Sequence, residues 1–571
     1  MSKENLETSE KEKSLNFLER IIEEHNESGK YDGRVHTRFP PEPNGFLHIG
    51  HAKAICISFG IAQKYGGKTN LRFDDTNPVT EKTDYVDAIK RDIKWLGFEW
   101  DNLFFASDYF EELYQYAIIL IKKGLAYVDF STPEQMNIEK KAGEANEYRS
   151  TSPEENLELF EKMKNGELEE GSCVLRLKVD LKSDNWKMRD PAIYRILKAH
   201  HHRTGDKWCI YPLYDWAHGQ SDSIERITHS LCSLEFKDNR ELYDWCQINL
   251  GIYRSEQIEF SRMNVDYTIT SKRKLKELIE INHVNGWDDP RMPTLSGMRR
   301  RGYPPAAIRN FIDRAGVSRR DQFIALSSLE ASVRDKLNKT ASRVMTVLNP
   351  LKVVITNYPE GKTESFAIDN NPEDENSGNR QVPFSREIYI EKEDFGIEVN
   401  KKWRRLAPER NVRLKGAYII NCHDFKKDEN GEVVEVHCTY YEDSRSGSDT
   451  SGVKPKGTLH WVSIADAEPV EVRLYDRLFN DEKPAGRKQN YRDENNKKRS
   501  RPIDFKEFLN PDSLKTITAY AEPSLKAAKE GESFQFMRIG YFHVDPDSTP
   551  GNPIFNRTAT LKDGWKVPGS K

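Results

Sequence analysis

The sequence predicts a multidomain chain. A parallel α/β sheet is interrupted by an inserted α+β module and followed by a helical stretch and a long series of short strands. Three observations predict it. Strand-like and helix-like segments alternate from Arg34 to about Ala106, stop, and resume near Trp208. Beyond Lys352 short strands recur between Gly-, Ser- and Asp-rich loops, the pattern of closed barrels or sandwiches. The 571 residues exceed the roughly 250–300 that one core supports.

The elements follow in order. Met1–Asn5 is charged and lacks the apolar run of a leader, and a helix is expected around Leu15–Glu24. Val35–Phe39 reads as a strand. It leads through the stiff loop Pro40-Pro41-Glu42-Pro43-Asn44-Gly45 into Phe46-Leu47-His48-Ile49-Gly50-His51, and Ala54–Ala62 has helical spacing. The strand Asn70–Phe73 runs into Asp74-Asp75-Thr76-Asn77-Pro78, a turn by composition. Val86, Ile89, Ile93 and Leu96 form one stripe of a helix over Tyr85–Leu96. In the insertion, helices at Phe110–Lys123 and Pro153–Lys164 flank an alternating strand, Cys173–Asp180. Trp208–Asp215 and Ile227–Leu234 resume the βα pattern, and Leu275–Val347 reads as helical. Later strands are expected at Val353–Asn357, Arg386–Ile390, Val412–Ile420, Val433–Tyr441, Leu459–Ile464, Val470–Leu474 and Phe534–Val544, with loops at Pro359–Gly378 and Ser444–Gly457.

Composition excludes some classes. With 32% charged residues and no run of about 18 apolar ones, no membrane span is expected. Seven cysteines, an odd number without a C-x-x-C pair, fit a reduced cytosolic protein without structural zinc. Adjacent side chains of His200-His201-His202 diverge and no acidic ligand is suitably spaced nearby, so no metal site is expected. The net charge is −4, yet five basic clusters, from Lys272-Arg273-Lys274 to Lys497-Lys498-Arg499-Ser500-Arg501, favour a polyanionic partner.

Ligands of open α/β sheets sit at the carboxyl ends of strands, where both the His48/His51 loop and the Asp74 turn fall. Two imidazoles at i and i+3 would share the first helical turn, at a terminus whose free N–H groups favour phosphate. Gly50 between them admits a close ligand. Gly66-Gly67-Lys68-Thr69 is no P-loop, since position 62 is Ala62, and no G-x-G-x-x-G occurs. A second basic element, Tyr267–Lys274, could place an ammonium on a phosphate, where positive charge meets developing negative charge.

With these residues the chain resembles the class I aminoacyl-tRNA synthetases. His48-Ile49-Gly50-His51 looks like their HIGH element and Ile269–Arg273 like their KMSKS loop, with Thr270 where the family usually has Met. Pro43-Asn44, Arg72–Pro78, Gly286-Trp287-Asp288-Asp289-Pro290-Arg291-Met292 and Leu459-His460-Trp461-Val462 point to the glutamine-specific branch.

The resemblance implies a Rossmann-type catalytic domain (29–107 and 208–274) after an N-terminal extension (1–28). It also implies an acceptor-end-binding α+β insertion (108–207), a helical domain (275–347) and two antiparallel β-barrels that read the anticodon (348–571). It implies ATP, with Mg²⁺, at Glu42, Pro43, Asn44, His48, Ile49, Gly50, His51, Ala52, Lys53, Ala54, Ser233, Arg262, Met263, Thr270, Ser271 and Lys272. His48, His51 and Lys272 would stabilise the phosphates, with Glu42 close by. L-glutamine would lie on Arg38, Asp74 and Tyr214. tRNA(Gln) would meet Ser318, Arg319, Arg320, Asp321, Gln322, Phe323, Ile324 and Ala325, with Arg343 and Arg413 at the anticodon. A monomer is implied. The rival readings are a glutamate-specific enzyme of the same architecture and a non-catalytic tRNA-binding relative. The second would lose the histidines or the loop lysine, which are kept here.

Overall fold

The strand expected after Arg34 forms as β1 (His36–Phe39) and enters the histidine-bearing helix α2 (Ile49–Lys64) through the proline loop. The protein is described here from a computed structural model covering residues 14–80 and 82–565. The charged start at Met1–Asn5 lies outside them. The chain divides into two compact units: residues up to Asn264 with Ile312–Ile324, and Val265–Phe311 with the residues from Ala325 on.

In the first unit, α1 (Phe17–Glu27) opens with a capping box, Asn16 and Glu19 each bonding the other's backbone N–H. Its Leu18 and Ile22 pack with Val35, Ile57 and Ile61, each such burial being worth roughly 1.5–3 kcal/mol. After α2 come β2 (Lys68–Phe73), α3 (Thr83–Trp95) and β3 (Asn102–Phe105). The insertion holds α4 (Phe110–Lys122), β4 (Ala126–Asp129), α5 (Pro133–Ala142), α6 (Pro153–Lys164), β5 (Val174–Leu177), β6 (Ala192–Ile196) and β7 (Ile210–Pro212). Then α7 (Tyr214–Ile224), β8 (His229–Ser233), α8 (Arg240–Leu250) and β9 (Glu256–Phe260) complete the domain.

β1, β2 and β3 are parallel neighbours, as are β8 and β9. The Thr228 N–H donates to the His36 carbonyl at 2.9 Å, so β8 runs beside β1. The spatial order is therefore β3-β2-β1-β8-β9, reversing direction between β1 and β8. In open α/β sheets such a switch point is where ligands bind, outside the carboxyl ends of the strands. One expectation is corrected. The strand within Trp208–Asp215 does not return to the parallel sheet; it is the edge of the antiparallel sheet β4-β5-β6-β7. Its alternating pattern serves either sheet, and pairing partners are not written in local periodicity.

The second unit begins with α9 (Lys272–Glu280), whose Leu275 and Leu278 pack on Leu478, Phe479 and Phe505. The helical stretch continues to Leu326–Thr340 and ends at a strand, Ser342–Val344. Two seven-stranded sheets follow. In each, the two edge strands are consecutive in the chain: Ser342–Val344 and Thr346–Val347 in one, Thr458–Leu459 and Val462–Ser463 in the other. A chain that passes from one edge of a sheet to the other wraps the sheet on itself, which makes both barrel-like. The sheets are not purely antiparallel, as expected, but mixed. Pro350–Ile355 pairs parallel with Val433–Tyr441, and Glu468–Tyr475 parallel with Ile554–Thr560. Long connections bring these strands together, so no hairpin dictates their direction. Val412–Ile420 and Phe534–Val544 each split into two paired strands, turning near Gly416 and Arg538, both at positive φ. Within the loop expected at Pro359–Gly378 lies Glu364–Asp369, which pairs with Asn379–Phe384.

Helix α7 is buried almost throughout, although it carries the polar run His218-Gly219-Gln220-Ser221-Asp222-Ser223. The reason is a charge hub. Asp222 accepts from Arg38 Nε (3.1 Å), Arg72 (2.7 Å), Ser230 Oγ (2.6 Å) and Tyr243 Oη (2.9 Å). Arg72 also donates to Glu225 at 2.8 Å. Burial opposes ionisation of Asp222, but Arg38 and Arg72 hold its carboxyl well below the usual range. Its contribution to stability is therefore full above the unfolded pKa near 4 and fades only in stronger acid. Asp222→Ala should cost roughly 3–5 kcal/mol, because two buried guanidinium groups lose their shared partner. Denaturant unfolding of the variant against the wild type measures it, and a change under about 1 kcal/mol would remove the hub from the stability argument.

Candidate active site

α2 begins with its two histidines capping one another. His48 is the N-cap, and its Nδ1 accepts from the Gly50 N–H at 3.1 Å. The His48 N–H in turn donates to His51 Nδ1 at 3.1 Å, and the ring centroids lie 3.9 Å apart. An imidazole that accepts at Nδ1 carries its proton on Nε2 when neutral. Each ring is thereby set as an Nε2–H donor at the positive end of a 16-residue helix with no acidic residue in its first turn. Gly50 is required locally, since a Cβ there would lie 2.9 Å from His48 Cε1.

The loop ahead of α2 is tied to the turn after β2. The Asp74 N–H donates to the Pro41 carbonyl at 3.0 Å and the Lys82 N–H to that of Pro43 at 3.1 Å, while Phe46 meets Tyr85 edge-on. Asn44 bonds the Glu42 carboxylate. Asp74 is 5% exposed and its Oδ1 has no hydrogen-bond partner. Burial first, and the nearby Glu42 charge second, push its carboxyl up to about 6. Tyr214, the first residue of α7, lies against His218 and Phe236 with ring centroids 5.1 Å away. Burial raises its phenol well above the ordinary value, so the hydroxyl stays neutral.

Other expected residues behave differently. Arg38 has no exposed surface, and its donors go to Asp222, the Leu231 carbonyl, Ser230 and His218. Lys53 also points inward, bonding Ser261 Oγ (3.0 Å) and Gln322 Oε1 (2.8 Å), and burial draws its ammonium down to about 8. Met263 is buried, Ser233 bonds Glu235, and Arg262 pairs with Glu235. Arg319, Arg320, Asp321 and Phe323 are exposed. Ser271 caps α9 without a side-chain bond, and the helix then opens on Lys272-Arg273-Lys274. Three cations at a positive helix end repel it, an arrangement that suits an anion. In the barrel region Arg343 bonds Asn338 (3.3 Å), and Arg413 bonds the Ser444 carbonyl (2.8 Å) and Asp449.

An acidic partner for the histidine tract does exist. Asp75, 126 residues away, brings an oxygen within 4.8 Å of His201 and His202 nitrogens. Both His201 nitrogens are engaged, however: Nε2 donates to the Asp75 carbonyl (2.8 Å), and Nδ1 accepts from the N–H groups of Arg203 and Thr204. The tract is a strut that fastens the insertion to the end of β2. Sequence reasoning missed this strut and the Asp222 hub. The only signal for the hub was a polar run in a helix bounded by apolar residues.

The fold and these motifs define a nucleotide-dependent tRNA enzyme of class I. The family model described as "tRNA synthetases class I (E and Q), catalytic domain" matches residues 34–339, and the two anticodon-binding models of that group match 341–441 and 458–545. The chain belongs to this family. It is 53% identical over 562 residues to a "Glutamine--tRNA ligase" of Rhodopirellula baltica, covering 98% of this chain and 91% of that one. Relatives of the same name in Clostridium kluyveri (50% over 567 residues, 98% and 99% covered) and Pseudomonas syringae (52% over 558 residues, 96% and 95% covered) are similar to it along nearly their whole lengths.

The raised Asp74 carboxyl predicts a pH dependence. Its folded pKa is raised, so the ionised carboxylate costs stability above pH 6, roughly 2–3 kcal/mol, and that cost vanishes below about pH 4. Asp74→Asn should therefore raise the thermal midpoint at pH 7 while abolishing amino-acid activation. In the wild type, kcat/KM for the amino acid should fall about tenfold per pH unit below 6. A flat profile down to pH 5 would exclude Asp74 as the ammonium partner.

Proposed function

We propose that this chain activates L-glutamine with ATP and transfers it to the terminal ribose of tRNA(Gln), releasing AMP and diphosphate. The observation that carries the choice of amino acid is the Asp222 hub. Arg38 and Arg72 are the buried cations behind Tyr214, and Asp222 and Glu225 already balance them. A glutamate side chain would bring a second negative charge to a wall whose two guanidinium groups are already paired. A neutral amide needs only an oriented hydroxyl, and Tyr214 supplies one. The buried, unpartnered Asp74 oxygen suits the substrate ammonium. Arg38, near the substrate carboxylate, completes the glutamine site with Asp74 and Tyr214.

ATP enters as its Mg²⁺ complex, so the metal comes with the substrate. The glutamine carboxylate attacks the α-phosphorus in line. The Nε2–H groups of His48 and His51 and the Lys272 ammonium stabilise the charge that builds on the phosphates, and no protein nucleophile is needed. Glu42, Pro43, Asn44 and the first turn from Ile49 to Ala54 line the nucleotide, with Ser233, Arg262, Met263, Thr270 and Ser271 completing it. Glu42 also raises Asp74 and so tunes the amino-acid site. The ribose hydroxyl of the tRNA then attacks the adenylate carbonyl. The insertion at 108–207 grips the acceptor end with Ser318–Ala325, the helices of 275–347 link it to the barrels, and the barrels read splayed anticodon bases. The enzyme works as a monomer in a reducing cytoplasm, in keeping with seven free cysteines.

Aminoacylation of tRNA(Gln) with glutamine and with glutamate tests the reading. Glutamine should be preferred by several orders of magnitude, and equal charging would reject it. His48→Ala and Lys272→Ala should each lower the rate by roughly 10²-fold or more, as loss of a preorganised charge contact does.

A further inference from the structure

The barrel region carries a feature that no substrate contact above uses. Lys488–Arg492 and Lys498–Pro502 pair as an antiparallel ribbon, and every residue of both strands is exposed. Between Arg487 and Pro502 stand seven cations and two carboxylates, a net charge of +5 in a chain whose net charge is −4. The register sorts them by face. Lys488, Arg492 and Lys498 share one face with Asn490, Ser500 and Pro502, and no acidic residue of either strand joins them. The opposite face carries exposed Tyr491 with Arg499 and Arg501, and the Arg501 guanidinium lies 5.9 Å from the Tyr491 ring centre.

A two-stranded ribbon without a packed face is marginal in water. This one is weakened further, since Arg492 and Lys498 are directly opposite and like charges so placed repel. Lysines on exposed strands also guard against sheet aggregation, but that purpose needs no opposed pair of cations. A polyanion along this face would offset the repulsion, and an aromatic framed by guanidinium groups offers a stacking surface for a base. The ribbon also has a firm base. The Ile503 N–H donates to the Arg487 carbonyl at 3.0 Å, Arg487 pairs with Asp481, and Lys274 reaches the Ala485 carbonyl at 3.4 Å. Phe505, just past the second strand, is buried with Leu275 and Leu278 of α9.

We infer that this ribbon is an RNA-binding arm that holds the sugar-phosphate backbone of the tRNA substrate through Lys488, Arg492 and Lys498, with Tyr491 stacking on an unpaired base. The inference rests on the tRNA reading above and adds a contact that none of the residues assigned there makes. Its cations make phosphate contacts and carry no base readout.

The test uses the full chain and tRNA(Gln). The triple variant Lys488→Gln, Arg492→Gln, Lys498→Gln should weaken tRNA binding about tenfold at moderate salt. It should also flatten the slope of log K against log salt by roughly two to three, about one for each phosphate contact. In the wild type, amide hydrogen exchange across 488–502 should slow when tRNA is added, because the marginal ribbon becomes fixed. Identical affinity and slope in wild type and variant, or no protection of these amides in a wild-type chain that charges tRNA, would overturn the arm and leave the catalytic reading standing. A wild-type chain that binds no tRNA would remove both.

Discussion

The constraint on which the site depends is the need to satisfy the first N–H groups of α2. Most helices meet it with a serine, threonine or aspartate cap. Here two imidazoles do so reciprocally, His48 for Gly50 and His51 for His48. An aspartate cap would put a negative charge where a phosphate must come. An imidazole caps through one nitrogen and keeps the other as a neutral donor, so the helix end is stabilised without losing its attraction for anions. The same bonds fix the tautomer, and the glycine between the rings is forced by the space the His48 ring occupies. One local solution thus determines helix start, donor orientation and residue choice together.

Much of this was legible in the sequence because it is local. The strand, loop and helix around His48, the turn at Asp74 and the stripe of α3 all lie within spans where periodicity and turn chemistry act directly. What escaped was long-range. The polar run from His218 to Ser223 explains itself only when Arg38 and Arg72 arrive from other strands. Asp75 meets His201 across 126 residues. Closure of the barrels depends on consecutive short strands that join opposite edges of a sheet, and no local pattern reports that. Arg38 and Lys53 show a further limit: a motif gives a position, while burial and long-range partners set the side chain's surroundings.

Asp74 and Asp222 show how one environment gives two carboxylates opposite tasks. Both are buried. Asp222 is saturated with donors and held ionised, so it is part of the scaffold. Asp74 keeps an unpartnered oxygen and a raised pKa, so it is held at a cost that a bound ammonium would relieve. Strain of this kind persists only where the surrounding structure forces it. The force is visible: the Asp74 N–H is tied to Pro41, and the proline loop cannot follow the side chain toward solvent.

The same contrast bears on the discrimination between an amide and a carboxylate of nearly equal shape. A pocket cannot separate them by size, and the difference must come from charge. An unpaired buried cation would attract glutamate and also destabilise the empty site. The hub avoids both, since Arg38 and Arg72 are neutralised by Asp222 and Glu225 before any substrate enters. The guanidinium groups behind Tyr214 are thus paired in advance. An added carboxylate would be desolvated there for no return, whereas an amide exchanges its water hydrogen bonds for protein ones. Conversion to glutamate specificity therefore requires breaking that balance, by freeing a guanidinium from Asp222 or adding a cation, and each change gives up part of the stability the hub provides.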